Sequence, residues 1–202
     1  MRLHSAPASP YVRMVRVLLA ETGQTDAVEL VPASGTPLDP GSLPLAQNPL
    51  GKIPVLERPD GAALYDSRVI LRFLDHRAGG MLSPQPPRLW DCVTLEATAH
   101  GIMDAAILMV YEGRIRPEEL RFEPWVGAQW GKATRALDTL GERWMAHLYG
   151  PLDMSQIAVA CALGYLDFRH PDRDWRAGRD ALAAWYAKFC ERDSMKATAP
   201  HA

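Results

Sequence analysis

Asn48-Pro49-Leu50-Gly51-Lys52-Ile53-Pro54-Val55-Leu56-Glu57 contains a conflict that organises the first half of the chain. Residues 52–57 have the composition of a β-strand, yet Pro54 cannot donate to a strand ladder. Two arrangements resolve this. Either the proline sits on a sheet edge, or Ile53-Pro54 is a cis bond at the strand's entry. A cis bond there would leave the backbone of Ile53 unpaired and open to an extended peptide. The turn Pro59-Asp60-Gly61 follows, then Ala62-Ala63-Leu64-Tyr65, which reads as a hairpin because Asp-Gly favours tight reversal.

Upstream, residues 2–6 read as a strand. Ser9-Pro10 reads as a helix start, with Ser at the N-cap and Pro in the first turn. Val12, Val15, Leu18 and Leu19 recur at helical spacing up to Gly23. Residues 27–32 form a second β-type run closed by Pro32, which makes a parallel strand-helix-strand unit. Residues 33–51 hold at most a short helix near 40–47. After the hairpin, Asp66-Ser67 opens a helix whose expected apolar face is Val69-Ile70 and Phe73-Leu74, and Gly79-Gly80 closes it.

Beyond residues 79–88 strand signals disappear. Helices are expected near 88–112, 123–148, 155–168 and 177–192. Asp153 and Gln156 have capping-box spacing, with Leu152 and Ile157 placed for a hydrophobic staple. The predicted organisation is therefore an α/β domain over 1–78, a linker over 79–87 and an all-α domain over 88–202.

Composition agrees with two domains. All six Trp and all three Cys (Cys92, Cys161, Cys190) lie after residue 88, while nine of seventeen Pro lie before residue 60. The 202-residue length suffices for a sizeable core. A net charge of -2 gives no sign of a nucleic-acid or anionic-membrane partner. Widely spaced cysteines without a CxxC pair argue against a disulfide framework or a Cys-rich zinc site. The six histidines show no metal-ligand spacing, so no metal is expected. No dinucleotide, P-loop or GxSxG motif is present, so no nucleotide is expected either. Arg13 and Arg16 interrupt the apolar N-terminal run, so a signal peptide is not expected. No run of eighteen apolar residues occurs, and the expected location is cytoplasmic.

Several residues carry two readings each. Ser9 is a cap, or a hydroxyl that faces a bound thiolate at a helix N-terminus. Lowering a thiol pKa by two units requires about 2.7 kcal/mol, within the range of one hydroxyl hydrogen bond plus a helix end. Asp66-Ser67 is a cap with a first-turn residue, or a site for an amino-acid zwitterion, the helix end taking the carboxylate and Asp66 the ammonium. Lys52 is a surface charge, or the partner of a second carboxylate. Asp104 interrupts the apolar segment 101–107 and is either a paired or edge carboxylate, or one that faces a ligand cleft or a dimer partner. Tyr11, Tyr111, Trp90 and Trp175 are core aromatics or the lining of an apolar pocket.

Taken in order, Ser9-Pro10-Tyr11-Val12-Arg13, Asn48 to Leu56, Leu64-Tyr65-Asp66-Ser67 and Ile157 to Asp167 resemble the cytosolic glutathione S-transferases. The resemblance runs through essentially the whole chain. It implies a thioredoxin-like domain followed by a helical bundle, assembled as a homodimer. It implies that Pro54 is the family's cis-proline, with the Ile53 backbone pairing the cysteinyl part of glutathione. Asp66 and Ser67 would hold the γ-glutamyl end, Lys52 the glycine carboxylate, and Ser9 the thiol, unless a backbone N–H does that work. Tyr11, Asp104 and Tyr111 would serve an electrophilic second substrate, in an apolar pocket between the domains, or the interface. The implied activity is glutathione conjugation with glutathione as co-substrate. A glutathione-dependent disulfide reductase or peroxidase, an isomerase and a non-catalytic glutathione-binding module are the alternatives.

Overall fold

A computed structural model describes residues 1–201. They divide into two compact units, residues 1–85 with 193–201, and residues 86–192. The expected break at 79–87 thus falls between Gln85 and Pro86. Residues 193–201 depart from the expected division, because they pack with the α/β unit rather than with the helices that precede them.

In the first unit, β1 (Arg2–Ser5) leads to α1 (Pro10–Glu21) and β2 (Glu29–Pro32), then to β3 (Val55–Arg58), β4 (Gly61–Leu64) and α2 (Ser67–Arg77). The sheet order is β2-β1-β3-β4. β1 and β2 are parallel, while β1 with β3 and β3 with β4 are antiparallel. The region near 40–47 forms turns and no helix. Leu3, Val15, Leu18, Val55, Leu56, Ile70, Leu71 and Leu74 are completely buried and form the core. The buried face of α2 is Ser67, Ile70, Leu71 and Leu74. The expected face was displaced by about one position. Val69 is exposed and Phe73 lies under the Arg58 guanidinium, 5.6 Å from its ring centre. A 3.6-residue turn carries 67, 70, 71 and 74 along one stripe, leaves 73 on its flank and turns 69 to the opposite face.

The second unit contains α3 (Arg88–Ile115), α4 (Glu123–Arg143), α5 (Met145–Leu148), α6 (Met154–Arg169) and α7 (Asp180–Phe189). Each residue of α6 from Met154 to Leu166 is buried, which makes it the central helix of the bundle. It begins with the expected capping box. The Asp153 carboxylate accepts from the Ser155 amide at 3.0 Å, and the Asp153 amide donates to Gln156 Oε1 at 2.9 Å. The helix α3 is long and apolar enough to cross a membrane by length and composition, but half of that stretch is buried. A final short helix, α8 (Asp193–Ala197), belongs to the first unit and packs on α1.

Candidate functional site

Sheet register brings three distant pieces of sequence to one edge. β1 ends at Ser5 and turns into α1 through Ser9. β3 runs antiparallel to β1, and His4 pairs with Val55, so the entry to β3 lies beside the exit of β1. β4 is antiparallel to β3, and Leu64 pairs with Leu56, so the exit of β4 lies there as well. Ser9, Lys52-Ile53-Pro54 and Asp66-Ser67 therefore gather at one end of the sheet. Tyr11, in the first turn of α1 and half-buried, joins them.

Ser9 is the N-cap of α1, with extended backbone dihedrals, and its hydroxyl oxygen accepts from the Val12 amide at 3.3 Å. Pro10 follows without loss, since a first-turn residue needs no N–H. The helix end leaves further amides and partial positive charge facing outward. The hydroxyl can still donate while its oxygen accepts, so cap and thiol contact are compatible roles.

The loop before β3 is held by a residue that sequence reasoning passed over. Asn48 is buried; its Nδ2 donates to the Lys52 carbonyl at 2.8 Å, and its Oδ1 accepts from the Leu50 amide at 3.1 Å. The Asn-Pro-Leu-Gly sequence was the available signal, since Asn closes such turns through its side chain. Gly51 sits at φ +60°, which makes glycine the natural residue there. The Ile53–Pro54 bond is cis. Ile53 precedes the first paired residue of β3, so it stands outside the ladder. Lys52 is exposed.

Asp66 caps α2 and accepts from the Arg68 amide at 3.0 Å. Its exposed carboxylate also receives the Arg68 guanidinium at 2.8 Å. Ser67 is buried in the first turn of α2. An exposed carboxylate beside a helix N-terminus provides the opposite charges that a zwitterion requires.

Asp104 and Tyr111 lie in the helical unit, seven residues apart on one face of α3, and both are exposed. Burial pushes the phenol of Tyr165, on α6, upward, while Arg169 hydrogen-bonds to it and draws it down. Tyr111 lies near enough to raise it further. Trp175 is core, with its indole N–H donating to Asp167 at 2.7 Å, whereas Trp90 is largely exposed. A cavity of about 470 Å³, lined by Met1, Pro59, Asp60, Phe73 and His76 among others, opens at the opposite end of the sheet from Ser9. It therefore has no part in this site. Among the described residues no group of three or more His, Cys, Asp and Glu side chains is placed to hold a metal.

The Cys92 thiol is pushed up to about 12, first by burial, then by the charges of Asp153 and Glu96. It is expected to resist alkylation at pH 8 in the folded protein and to react on unfolding, because the thiolate is the nucleophile. Peptide mapping after iodoacetamide treatment checks this, and rapid labelling of native Cys92 would contradict it.

A thioredoxin-like sheet, a capped helix beside a cis-proline loop, and an all-α second unit define the class. Comparisons then narrow it. Residues 8–77 match the glutathione S-transferase N-terminal domain and residues 123–188 the C-terminal domain. The chain is 34% identical to the uncharacterized GST-like protein YibF of Escherichia coli K12, across 99% of this chain and 98% of that one. A glutathione transferase family member from Pseudomonas fluorescens Pf-5, solved with bound glutathione, is 46% identical; the alignment covers 100% and 99% of the two chains, with TM-score 0.96. That family member was also solved with bound S-(propanoic acid)-glutathione, at TM-score 0.92 and 100% coverage of both chains. A glutathione S-transferase from Methylobacillus flagellatus KT with glutathione bound is 37% identical over 99% of each chain, TM-score 0.85. The chain belongs to the glutathione S-transferase family.

Proposed function

We propose that the protein is a glutathione transferase that binds glutathione at the sheet end bearing Ser9 and conjugates its sulfur to an apolar electrophile. The observation that carries this reading is the convergence of Ser9, the cis-proline loop and the Asp66-Ser67 helix start. In this reading the Ile53 backbone, which stands outside the ladder, pairs with the cysteinyl part of glutathione. Asp66 takes the γ-glutamyl ammonium, the α2 N-terminus with Ser67 takes its carboxylate, and Lys52 takes the glycine carboxylate. The thiol lies against Ser9, where a hydroxyl donor and the end of α1 favour the thiolate. The rate gain comes from thiolate population and from holding the nucleophile in place. The S-substituted glutathione bound by the Pseudomonas relative is a thioether, the product type of such a reaction. Tyr11, Asp104 and Tyr111 are proposed to serve the second substrate or the interface of a cytoplasmic homodimer.

A protein-thiol redox role is disfavoured, because residues 1–85 and 193–202 contain no cysteine and Ser9 stands at the first strand-helix turn. The test is retention on immobilised glutathione, followed by conjugation of a model aryl halide and reduction of a mixed disulfide by one preparation. Retention with conjugation in excess of reduction is expected. Failure to bind removes the ligand assignment, and reduction in excess removes the transferase assignment. Asp66→Asn should raise the KM for glutathione about tenfold with kcat nearly unchanged, because it weakens a charged contact common to ground and transition states. An unchanged KM would remove Asp66 from the site.

A further inference from the structure

We propose that Arg13 is a built-in cation of the Ser9 site, held by the C-terminal strap over α1, and that its charge helps keep a glutathione thiol at Ser9 ionised. This rests on the reading of Ser9 as the thiol's partner.

Arg13 is only 5% exposed. Its Nη2 donates to the Met195 carbonyl at 3.2 Å, but Nε and Nη1 are buried with no hydrogen-bond partner among the described residues. A buried cation with unused donors and no carboxylate is costly. The strap around it is well made, so loose packing does not account for the cost. Ser194 Oγ donates to Glu21, and Thr198 Oγ1 donates to the Ser194 carbonyl at 2.7 Å. Arg16 donates to the Ala197 carbonyl at 3.3 Å. Ser194, Met195 and Thr198 are all buried. The neighbouring Arg16 is driven below its ordinary pKa by burial and by the charge of Arg13, so positive charge accumulates on this flank of α1.

The location gives that charge a use. The Arg13 amide donates to the Ser9 carbonyl at 3.0 Å and closes the first turn of α1. Residues four apart share a helix face, about 6 Å along the axis. Helical side chains in general lean toward the N-terminus, the direction in which the turn opened by Ser9 lies. There the guanidinium adds to the helix-end field, in surroundings where burial reduces screening. A negative sulfur at Ser9 is the complementary group.

The test compares two ligands, glutathione and S-methylglutathione, which lacks the ionisable thiol. Wild-type protein and the Arg13→Met and Arg13→Lys variants are titrated, and ionisation of bound glutathione is followed by thiolate ultraviolet absorbance. Arg13→Met keeps the packed stem and drops the charge. It should bind S-methylglutathione within about twofold of wild type, while the bound thiol titrates at least about one pH unit higher, a tenfold loss of thiolate at low pH. Arg13→Lys should restore the wild-type titration. An unchanged titration in Arg13→Met, or equal loss of both ligands as a mere clamp would give, overturns the proposal. If Arg13→Met does not fold, Arg13→Lys decides: a bound thiol titrating like wild type supports the proposal, and one titrating like free glutathione overturns it. A wild-type protein that binds S-methylglutathione but leaves the glutathione thiol unshifted overturns both this proposal and the reading of Ser9, before any variant is made.

Discussion

Replacing Ser9 with alanine is expected to lower the kcat/KM for aryl-halide conjugation about fifteenfold at pH 6.5, because the hydroxyl's bond to the thiolate supplies about 2 kcal/mol, or about 1.5 units of the depression, while the helix end remains. The sign of the pH dependence follows. A thiol left with the helix end alone titrates near about 8 and is about 3% ionised at pH 6.5, whereas one lowered to about 6.5 is about half ionised. Near pH 9 both are mostly thiolate, so the defect should shrink to about 1.1-fold. Ser9 also caps α1 through the Val12 amide, so the alanine variant should lose about 1 kcal/mol of stability. Ser9→Gly separates the two roles. Glycine at an N-cap costs only a few tenths of a kcal/mol, roughly, yet it lacks the hydroxyl. Both variants should therefore show the same pH-dependent loss of turnover, with different unfolding midpoints. A glycine variant as active as wild type would assign the alanine defect to the helix end. Unchanged turnover in both would transfer the thiol contact to a backbone amide.

Much of this site was legible because its parts are backbone devices with strong local signatures. Ser9-Pro10 and Asp66-Ser67 are helix starts, and Ile53-Pro54 is a strand entry that a proline marks. Their convergence was less legible, since it depends on register: His4 opposite Val55 and Leu56 opposite Leu64. Two residues escaped altogether. Asn48 drew no role of its own beyond opening the Asn48 to Leu56 stretch, but its side chain holds the loop from inside. Arg13 looked like an interruption in an apolar run, but α8 covers it, a contact between residues 182 positions apart. The same long-range packing explains the error at the chain's end. Residues 193–202 continue the helical composition of the second half, and no local pattern says which unit they will join. The α2 face was misplaced for a simpler reason. Val69-Ile70 and Phe73-Leu74 is an apolar pairing that two adjacent stripes satisfy, and packing selected the one that includes Leu71.

The largest stability effect is expected in the helical unit, at Asp153. This carboxylate is almost wholly buried and accepts four contacts on two oxygens. Oδ1 takes the Ser155 amide at 3.0 Å and the Ser155 hydroxyl at 2.6 Å. Oδ2 takes Arg88 Nη2 at 2.8 Å and His147 Nε2 at 2.9 Å. It thus ties the start of α3, the helix α5 and the cap of α6 together. Asp153→Ala should cost about 3–5 kcal/mol, because removing one partner strands the others. Asp153→Ser should cost less, since serine still caps a helix, and the difference between them isolates the cap from the ion pairing. Combining Asp153→Ser with Arg88→Met should recover part of the loss, because the methionine stem needs no counter-charge. Denaturant midpoints on the folded variants measure all three. A second readout is independent of stability. Asp153 is one of the charges that raise the Cys92 thiol, so Asp153→Ser should make Cys92 react faster with iodoacetamide under native conditions, at denaturant concentrations well below the midpoint. An alanine variant within about 1 kcal/mol of wild type, as for an ordinary exposed cap, would mean that Arg88 and His147 find water or other partners, and that the cluster is peripheral to the stability of the bundle.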